Sequence, residues 1–342
     1  MRDQHPYLLT KLKWYTPTYI STPDFGSSTI PDQEARQQVD ASRRLPMLPN
    51  GYLFLNRFAI RGFVGRGGFS DAYLAWDRVQ DCEVVVKLMP TEGLTPHLSR
   101  FIDRETRMAR LMPRTISGLV STSDVISFQG GVCFVQERIP GESLHDRLKA
   151  RKTLPLIEAL NTAVILCKTL SQLHEYQIVH CDVKLHNIMI SSPGSPVLID
   201  LGTARFFGEH VSKHEIVISV PYSHEDLITG DPVDVRVDVY SLGMTLLHML
   251  TGLGVEYSND STFPSEIYEQ DLSDESKLDI QERHERRKQG IPSREVITDY
   301  VLRKIGEVWP TRLRAVIARS LSVEPENRYL NMDEFCNDLI AE

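Results

Sequence analysis

The sequence predicts an α+β protein in two lobes: a small antiparallel sheet carrying one main helix, followed by a larger, mostly helical lobe. Three observations carry this expectation. Between Leu53 and Ile139, short runs rich in Val, Ile, Phe and Tyr are broken by glycines, the texture of consecutive strands. Beyond Pro140-Gly141, apolar residues recur three and four apart, which is the helical period. The chain has 342 residues, 41% hydrophobic and 25% charged, enough for a substantial core and unlike a disordered, fibrous or collagen-like chain.

Residues 1–52 read as an N-terminal extension. Six of the chain's 19 prolines (Pro6, Pro17, Pro23, Pro31, Pro46, Pro49) lie there among many Ser, Thr and Gln, without sustained periodicity. Tyr7, Trp14, Tyr15, Tyr19 and Phe25 leave two readings open: a mobile tail, or a strap docked through residues 1–50 on the folded body or a partner. Residues 53–139 form the first lobe, with strands over Phe58–Val64, Asp71–Trp76 and Glu83–Met89, a helix around Leu98–Leu111, and strands over Val120–Phe128 and Val132–Ile139. The second lobe spans 140–342. Its helices are expected at Ser143–Arg151, Leu156–Tyr176, Asp238–Leu250, Ile297–Ile305, Arg312–Leu321 and Met332–Ile340, with a charged insertion at about 253–308.

Charge and cysteine usage narrow the function classes. Lys+Arg 38 against Asp+Glu 46 gives a net charge of −8, which provides no global drive toward nucleic acid or an anionic membrane. Five scattered cysteines without C-x-x-C suggest neither a disulfide framework nor a zinc site, and fit a reducing cytoplasm. No run of about 18 apolar residues predicts a membrane span, and no apolar leader predicts export.

Chemistry concentrates in four segments. Gly65-Arg66-Gly67-Gly68-Phe69-Ser70 lies between two strands, where glycines let backbone N–H groups approach phosphate oxygens. A dinucleotide-binding fingerprint would continue into a helix, whereas Asp71–Trp76 reads as a strand, so a hairpin is expected. Lys87 closes an apolar strand and needs an anion; Glu105 in the following helix is a candidate, a lysine snorkelling at a strand edge the alternative. His180-Cys181-Asp182-Val183-Lys184-Leu185-His186-Asn187 is followed, thirteen residues after Asn187, by Asp200 in Ile199-Asp200-Leu201-Gly202. Asn and Asp so placed suit a hard cation that also binds phosphate oxygens. His174, His180 and His186 could suggest a transition metal, but core or surface roles are the plainer reading.

Taken in this order and spacing, the motifs resemble the protein kinase family, and within it the bacterial type of Ser/Thr kinase, over roughly Leu53–Ile340. The resemblance implies a bilobal protein-kinase-like fold and phosphoryl transfer from ATP with Mg²⁺, or alternatively Mn²⁺, to Ser/Thr hydroxyls of protein substrates. Gly65, Gly67, Gly68 and Ser70 would cover the phosphates, with Lys87 gripping them and Glu105 holding Lys87. Asp182 would orient the hydroxyl and accept its proton, Lys184 would steady the γ-phosphate, and Asn187 and Asp200 would hold the metal. Adenine would meet Ala72, Val85 and Met189 and the backbone near Glu137 and Ile139, with Gln136 as gatekeeper. Asp238 would steady the backbone of the Asp182 loop, and Glu225 would pair with a buried Arg328.

The departures are specific. Cys181 stands where many relatives have arginine, so a phosphate on Ser212, Ser219, Tyr222 or Ser223 would lack that anchor, with Arg205 or Lys213 as substitutes. Leu185 replaces a frequent proline, and Ser223-His224-Glu225 replaces A-P-E. Ile218–Tyr222 shows little of the usual peptide-positioning stretch. The altered segment before Glu225 motivates one alternative, a pseudokinase-like nucleotide- or partner-binding module; a small-molecule phosphotransferase of related fold is a further one, against which Asp238, Glu225 and Arg328 resemble protein-kinase elements.

Overall fold

The computed structural model describes residues 45–67, 70–92, 96–112, 115–191, 194–210, 232–252, 309–322 and 324–341. Gly68, Glu225, Lys213, the Ser212–Ser223 hydroxyls, the helix expected at Ile297–Ile305, the charged stretch 253–308 and Tyr7, Trp14, Tyr15, Tyr19 and Phe25 of the extension lie outside these.

The first lobe is a six-stranded sheet: β1 (Leu53–Phe54), β2 (Phe58–Arg66), β3 (Asp71–Asp77), β4 (Cys82–Pro90), β5 (Thr122–Phe128) and β6 (Gly131–Glu137). The strands are antiparallel in the order β1-β2-β3-β4-β6-β5. Alternation along each strand sorts the residues into two faces. Phe58, Ile60, Tyr73, Ala75, Val84, Val86, Leu88, Cys133 and Val135 bury in one core on the outer face, where Leu45 and Leu48 also pack. The opposite face carries Val85, Lys87 and Met89, and helix α1 (Pro96–Leu111) covers part of it through Phe101 and Ile102 against Met89 and Phe134. A charge cluster on this sheet was not foreseen: Arg57 forks onto Asp77 of β3 at 2.7 and 2.8 Å and reaches Asp124 of β5 at 2.7 Å. Asp77 is fully buried, and its hydrogen bond from Arg57 outweighs burial and holds the carboxyl below the ordinary range.

The second lobe begins with β7 (Gly141–Ser143), α2 (Leu144–Arg151) and α3 (Leu156–Glu175). Ser143 caps α2 by accepting from the Asp146 N–H at 3.0 Å. Then follow β8 (Ile178–Val179), a short 3₁₀ turn (Leu185–Asn187), β9 (Ile188–Ser191), β10 (Pro196–Leu198), β11 (Arg205–Phe206), α4 (Arg236–Thr251), α5 (Thr311–Ser320) and α6 (Met332–Ile340). Among the described residues, α3 alone is long and apolar enough to cross a membrane. It packs instead as a core helix against α4 and α6, burying Ala159, Ala163, Leu166, Leu170 and Leu173. α4 is buried from Val237 to Leu250, the polar Asp238, Ser241, Thr245 and His248 included.

Several strand ends differ from expectation by a residue or two, and two of the shifts have a visible cause. The fifth strand starts at Thr122 instead of Val120, because Val120 donates to Leu198 O at 2.9 Å and Leu119 bridges Leu198. The sixth ends at Glu137, whose N–H donates to Ser121 O at 3.0 Å, leaving Arg138 and Ile139 as the connection between lobes.

Candidate active site

β4 brings Lys87 to the inner face of the sheet, and its side chain is buried. Its Nζ lies 2.7 Å from Glu105 Oε1 on α1 and 3.1 Å from Asp200 Oδ1, a residue that follows β10 in the other lobe. Burial opposes the ammonium, but the Asp200 and Glu105 carboxylates outweigh it and push the Lys87 pKa upward. Burial likewise opposes ionisation of Asp200, yet Lys87 and the Gly202 N–H, 3.0 Å from Oδ1, hold its carboxyl below the ordinary range. Glu105 is pushed up to about 7 by burial, against the pull of Lys87. Its Oε2 is buried without a hydrogen-bond partner among the described residues.

Local backbone geometry shapes the Asp200 turn. Asp200 itself takes a left-handed conformation, φ 69°, a strained choice for a residue with a Cβ. A Cβ on Gly202 would run into the Phe101 ring, so α1 approaches this turn too closely for any larger residue.

The second cluster lies on the loop between β8 and β9. Asp182 Oδ2 receives Lys184 Nζ at 2.7 Å and Asn187 Nδ2 at 2.8 Å, and Asn187 Nδ2 also reaches the Asp182 carbonyl at 2.9 Å. Asp182 Oδ1 is buried and has no hydrogen-bond partner among the described residues, which leaves an acceptor position that a donor could fill. Asp238 underpins the loop: its carboxylate accepts from His180 N at 2.8 Å and Cys181 N at 2.9 Å, and pairs with His174 Nε2 at 2.8 Å. His174 and His180 are therefore packing and hydrogen-bonding residues. His186 stacks on His145, ring centroids 4.0 Å apart.

The hairpin between β2 and β3 carries the glycines. Gly65 pairs with Ala72, and Gly67 N donates to Ser70 O at 2.7 Å. Arg66 and Asp71 face each other across its root and form an ion pair at 2.7 Å, which their symmetrical flanking of the glycines could have suggested. Strand register aligns Ala72 with Lys87 and Phe134, and Leu74 with Val85 and Gln136. Ala72, Val85, Lys87 and Gln136 thus share the sheet's inner face. Met189 is half-buried on β9, paired with Ser143 and Val197 in a separate three-stranded sheet.

Among the described residues no three His, Cys, Asp or Glu side chains gather as a metal cage. Asn187 and Asp200 instead offer one amide and one carboxylate, a sparse oxygen set suited to a hard divalent cation whose remaining ligands come from water and phosphate. Together with Asp182 Oδ1, which has no partner among the described residues, this donor set fits a metal–nucleotide complex. Arg328, expected to pair with Glu225, is buried against the Tyr240 ring and donates to Ser322 O at 2.8 Å and Arg236 O at 3.3 Å.

The scaffold thus combines a glycine hairpin, a lysine held by two carboxylates and an Asp–Lys–Asn cluster. The family model for the protein kinase domain matches residues 58–338, and the chain belongs to this family. It is 27% identical to a probable serine/threonine-protein kinase of Clostridium acetobutylicum, over 84% of this chain and 40% of that protein. It is 28% identical to serine/threonine-protein kinase PknB of Mycobacterium leprae, over 83% of this chain and 43% of that protein. The chain thus spans about two fifths of the length of these relatives.

Proposed function

We propose that this chain is a serine/threonine protein kinase that transfers the γ-phosphoryl group of Mg-ATP to protein hydroxyls, with Mn²⁺ as the alternative ion. The observation that carries this reading is Lys87, held at 2.7 Å by Glu105 and 3.1 Å by Asp200, while Asp182 is held by Lys184 and Asn187 with one oxygen unengaged. The names of the relatives support the choice of Ser/Thr acceptors. In this reading 53–139 and 140–342 are the two kinase lobes. Five free thiols and the packing of α3 in the core support a cytoplasmic location for the domain.

Phosphoryl transfer asks chiefly for positioning and for neutralisation of phosphate charge. A bound Mg²⁺ supplies much of that neutralisation, held by Asn187 and Asp200. Lys87 adds a fixed positive charge that Glu105 keeps aimed at the α- and β-phosphates, and Lys184 adds another toward the γ-phosphate. Gly65, Gly67, Gly68 and Ser70 would cover the phosphates, where glycine lets the backbone come close. Ala72, Val85 and Met189 would bracket the adenine, with the backbone near Glu137 and Ile139 as its hydrogen-bonding edge and Gln136 as gatekeeper. Asp182 orients the acceptor hydroxyl and receives its proton on Oδ1. The intact set Lys87, Asp182, Asn187 and Asp200 speaks against a binding-only module.

The test is transfer of labelled phosphate from ATP with Mg²⁺ to a generic protein substrate. Lys87→Ala, Asp182→Asn and Asp200→Asn should each lower the rate by at least ~10²-fold. Asp182→Asn should keep its ATP affinity, since Asp182 faces the acceptor. Near-normal transfer in two of the three variants would sink the assignment.

A further inference from the structure

Arg205 lies in β11 with its side chain only 5% exposed, and a guanidinium so placed needs an anion beside it. Glu209 provides one. Its Oε1 accepts from Arg205 Nη1 at 3.0 Å, and its Oε2 accepts from the Phe206 N–H at 3.1 Å. Backbone bonds close around the same turn: Glu209 N to Phe206 O at 3.0 Å, Phe207 N to Gln177 O at 2.8 Å, Gly208 N to Val233 O at 2.8 Å and Val233 N to Glu209 O at 2.9 Å. His210 and Pro232 bridge alongside. Residues 205–210 and 232–233 therefore form a neck, with one side arriving from Asp200 and the other leading into α4.

This neck is joined to the loop that carries Asp182. Arg205 pairs with Val179 and Phe206 with Ile178, and Thr203 Oγ1 donates to His180 O at 3.3 Å. Beneath it, Val179, Cys181, Val233 and Val237 form a small apolar cluster, so the residue preceding Asp182 contributes packing and no charge. Burial raises the Cys181 thiol pKa well above its ordinary value, which keeps it neutral.

We infer that Glu209 is a positioning residue for phosphotransfer: a carboxylate already encoded in the chain holds Arg205 and fastens the neck at the root of the Asp182 loop, without an added phosphate. The inference rests on the kinase reading above. Glu209 acts through Arg205 and β8 and touches no reacting group. A phosphate placed at this neck would bring roughly −1.5 to −2 charge beside the Glu209 carboxylate, a like-charge meeting that disfavours it.

The experiment compares the full chain, with and without phosphatase treatment, with Glu209→Gln and Glu209→Ala. Amide exchange at Phe206, Gly208 and Val233 should speed by about tenfold or more in both variants, and kcat for a protein acceptor should fall about tenfold. ATP affinity by calorimetry should stay within about twofold, and phosphatase treatment should leave the wild-type rate unchanged. Unchanged exchange and kcat in both variants would overturn the inference. So would a tenfold loss of wild-type rate on phosphatase treatment, or a loss of ATP affinity in step with kcat, which would make Glu209 a general structural residue. A wild-type chain that phosphorylates no acceptor would refute the kinase reading instead, and the exchange comparison would still decide whether Glu209 fastens the neck.

Discussion

Asp238 organises the Asp182 loop from below through three contacts, the N–H groups of His180 and Cys181 and the His174 ring. Removing the carboxylate leaves two buried backbone donors unpaired, each costing about 1–3 kcal/mol. Asp238→Ala should therefore lower unfolding free energy by roughly 2–5 kcal/mol, read by urea titration, and depress phosphotransfer. The acid limb carries a second expectation. Burial works against Asp238 ionisation, but the hydrogen bond from His174 and the neighbouring positive and N–H groups outweigh it and hold the pKa below the ordinary carboxylate value. A carboxyl depressed in the fold contributes its stability in full above the unfolded value, near ~3.9, and loses it as pH falls through the folded value. The stability gap between wild type and Asp238→Asn should thus be widest near neutral pH and shrink below about pH 4. A gap that widens on acidification would contradict the pairing. The motif containing Asp238 was readable in the sequence; its bond to His174 was not, because a histidine ending an amphipathic helix gives no sign of which buried carboxylate it will meet.

At the scale of elements, close approach decides which positions stay small. Gly243 in the middle of α4 faces Ser320 of α5, and a Cβ there would collide with the Ser320 hydroxyl, itself bonded to Ile317 O at 2.7 Å. Gly243→Ala should destabilise by about 1–3 kcal/mol, measured by thermal melting, with little effect on ATP affinity. Gly202→Ala differs, since the added methyl meets Phe101 on α1 beside Asp200. It should lower phosphotransfer, and Gly202→Ala with Phe101→Ala should recover part of the loss; a double variant worse than the single one would show that the clash is not the cause. Strand periodicity and the helical pattern around Leu98–Leu111 made both partners of Lys87–Glu105 visible as separate elements. Their contact depended on α1 docking across the sheet, which no local pattern encodes.

Across the whole molecule, Lys87 and Asp200 stand 113 positions apart and meet at 3.1 Å, joining the sheet lobe to the helical lobe. The sheet lobe also recruits residues ahead of its first strand: Leu45 and Leu48 pack on the outer core, and Leu48 N donates to Tyr73 OH at 3.4 Å. A chain starting at residue 53 should melt a few degrees below one starting at residue 45, since the lost burial is worth roughly 1–3 kcal/mol. Equal melting temperatures would show that this contact contributes nothing. The composition of residues 1–52 had suggested an extension, and proline-rich spacing conceals the two leucines that hold its end to the fold.

By itself the sequence determined the two-lobed α+β architecture, the order of the main described strands and helices, and the residue types of the candidate site, because period, glycine placement and motif spacing are local properties of the chain. Only the tertiary structure decided which charges meet around a buried partner. Arg57 with Asp77 and Asp124, His174 with Asp238, and Arg205 with Glu209 each join groups whose pairing is set by register and by the docking of one element on another. Even the Arg205–Glu209 pair, four residues apart and outside any helix, arises from a turn bonded to Gln177 and Val233. Burial makes such pairings obligatory, since an unpaired charge costs most where water is excluded, and burial is a property of the assembled fold.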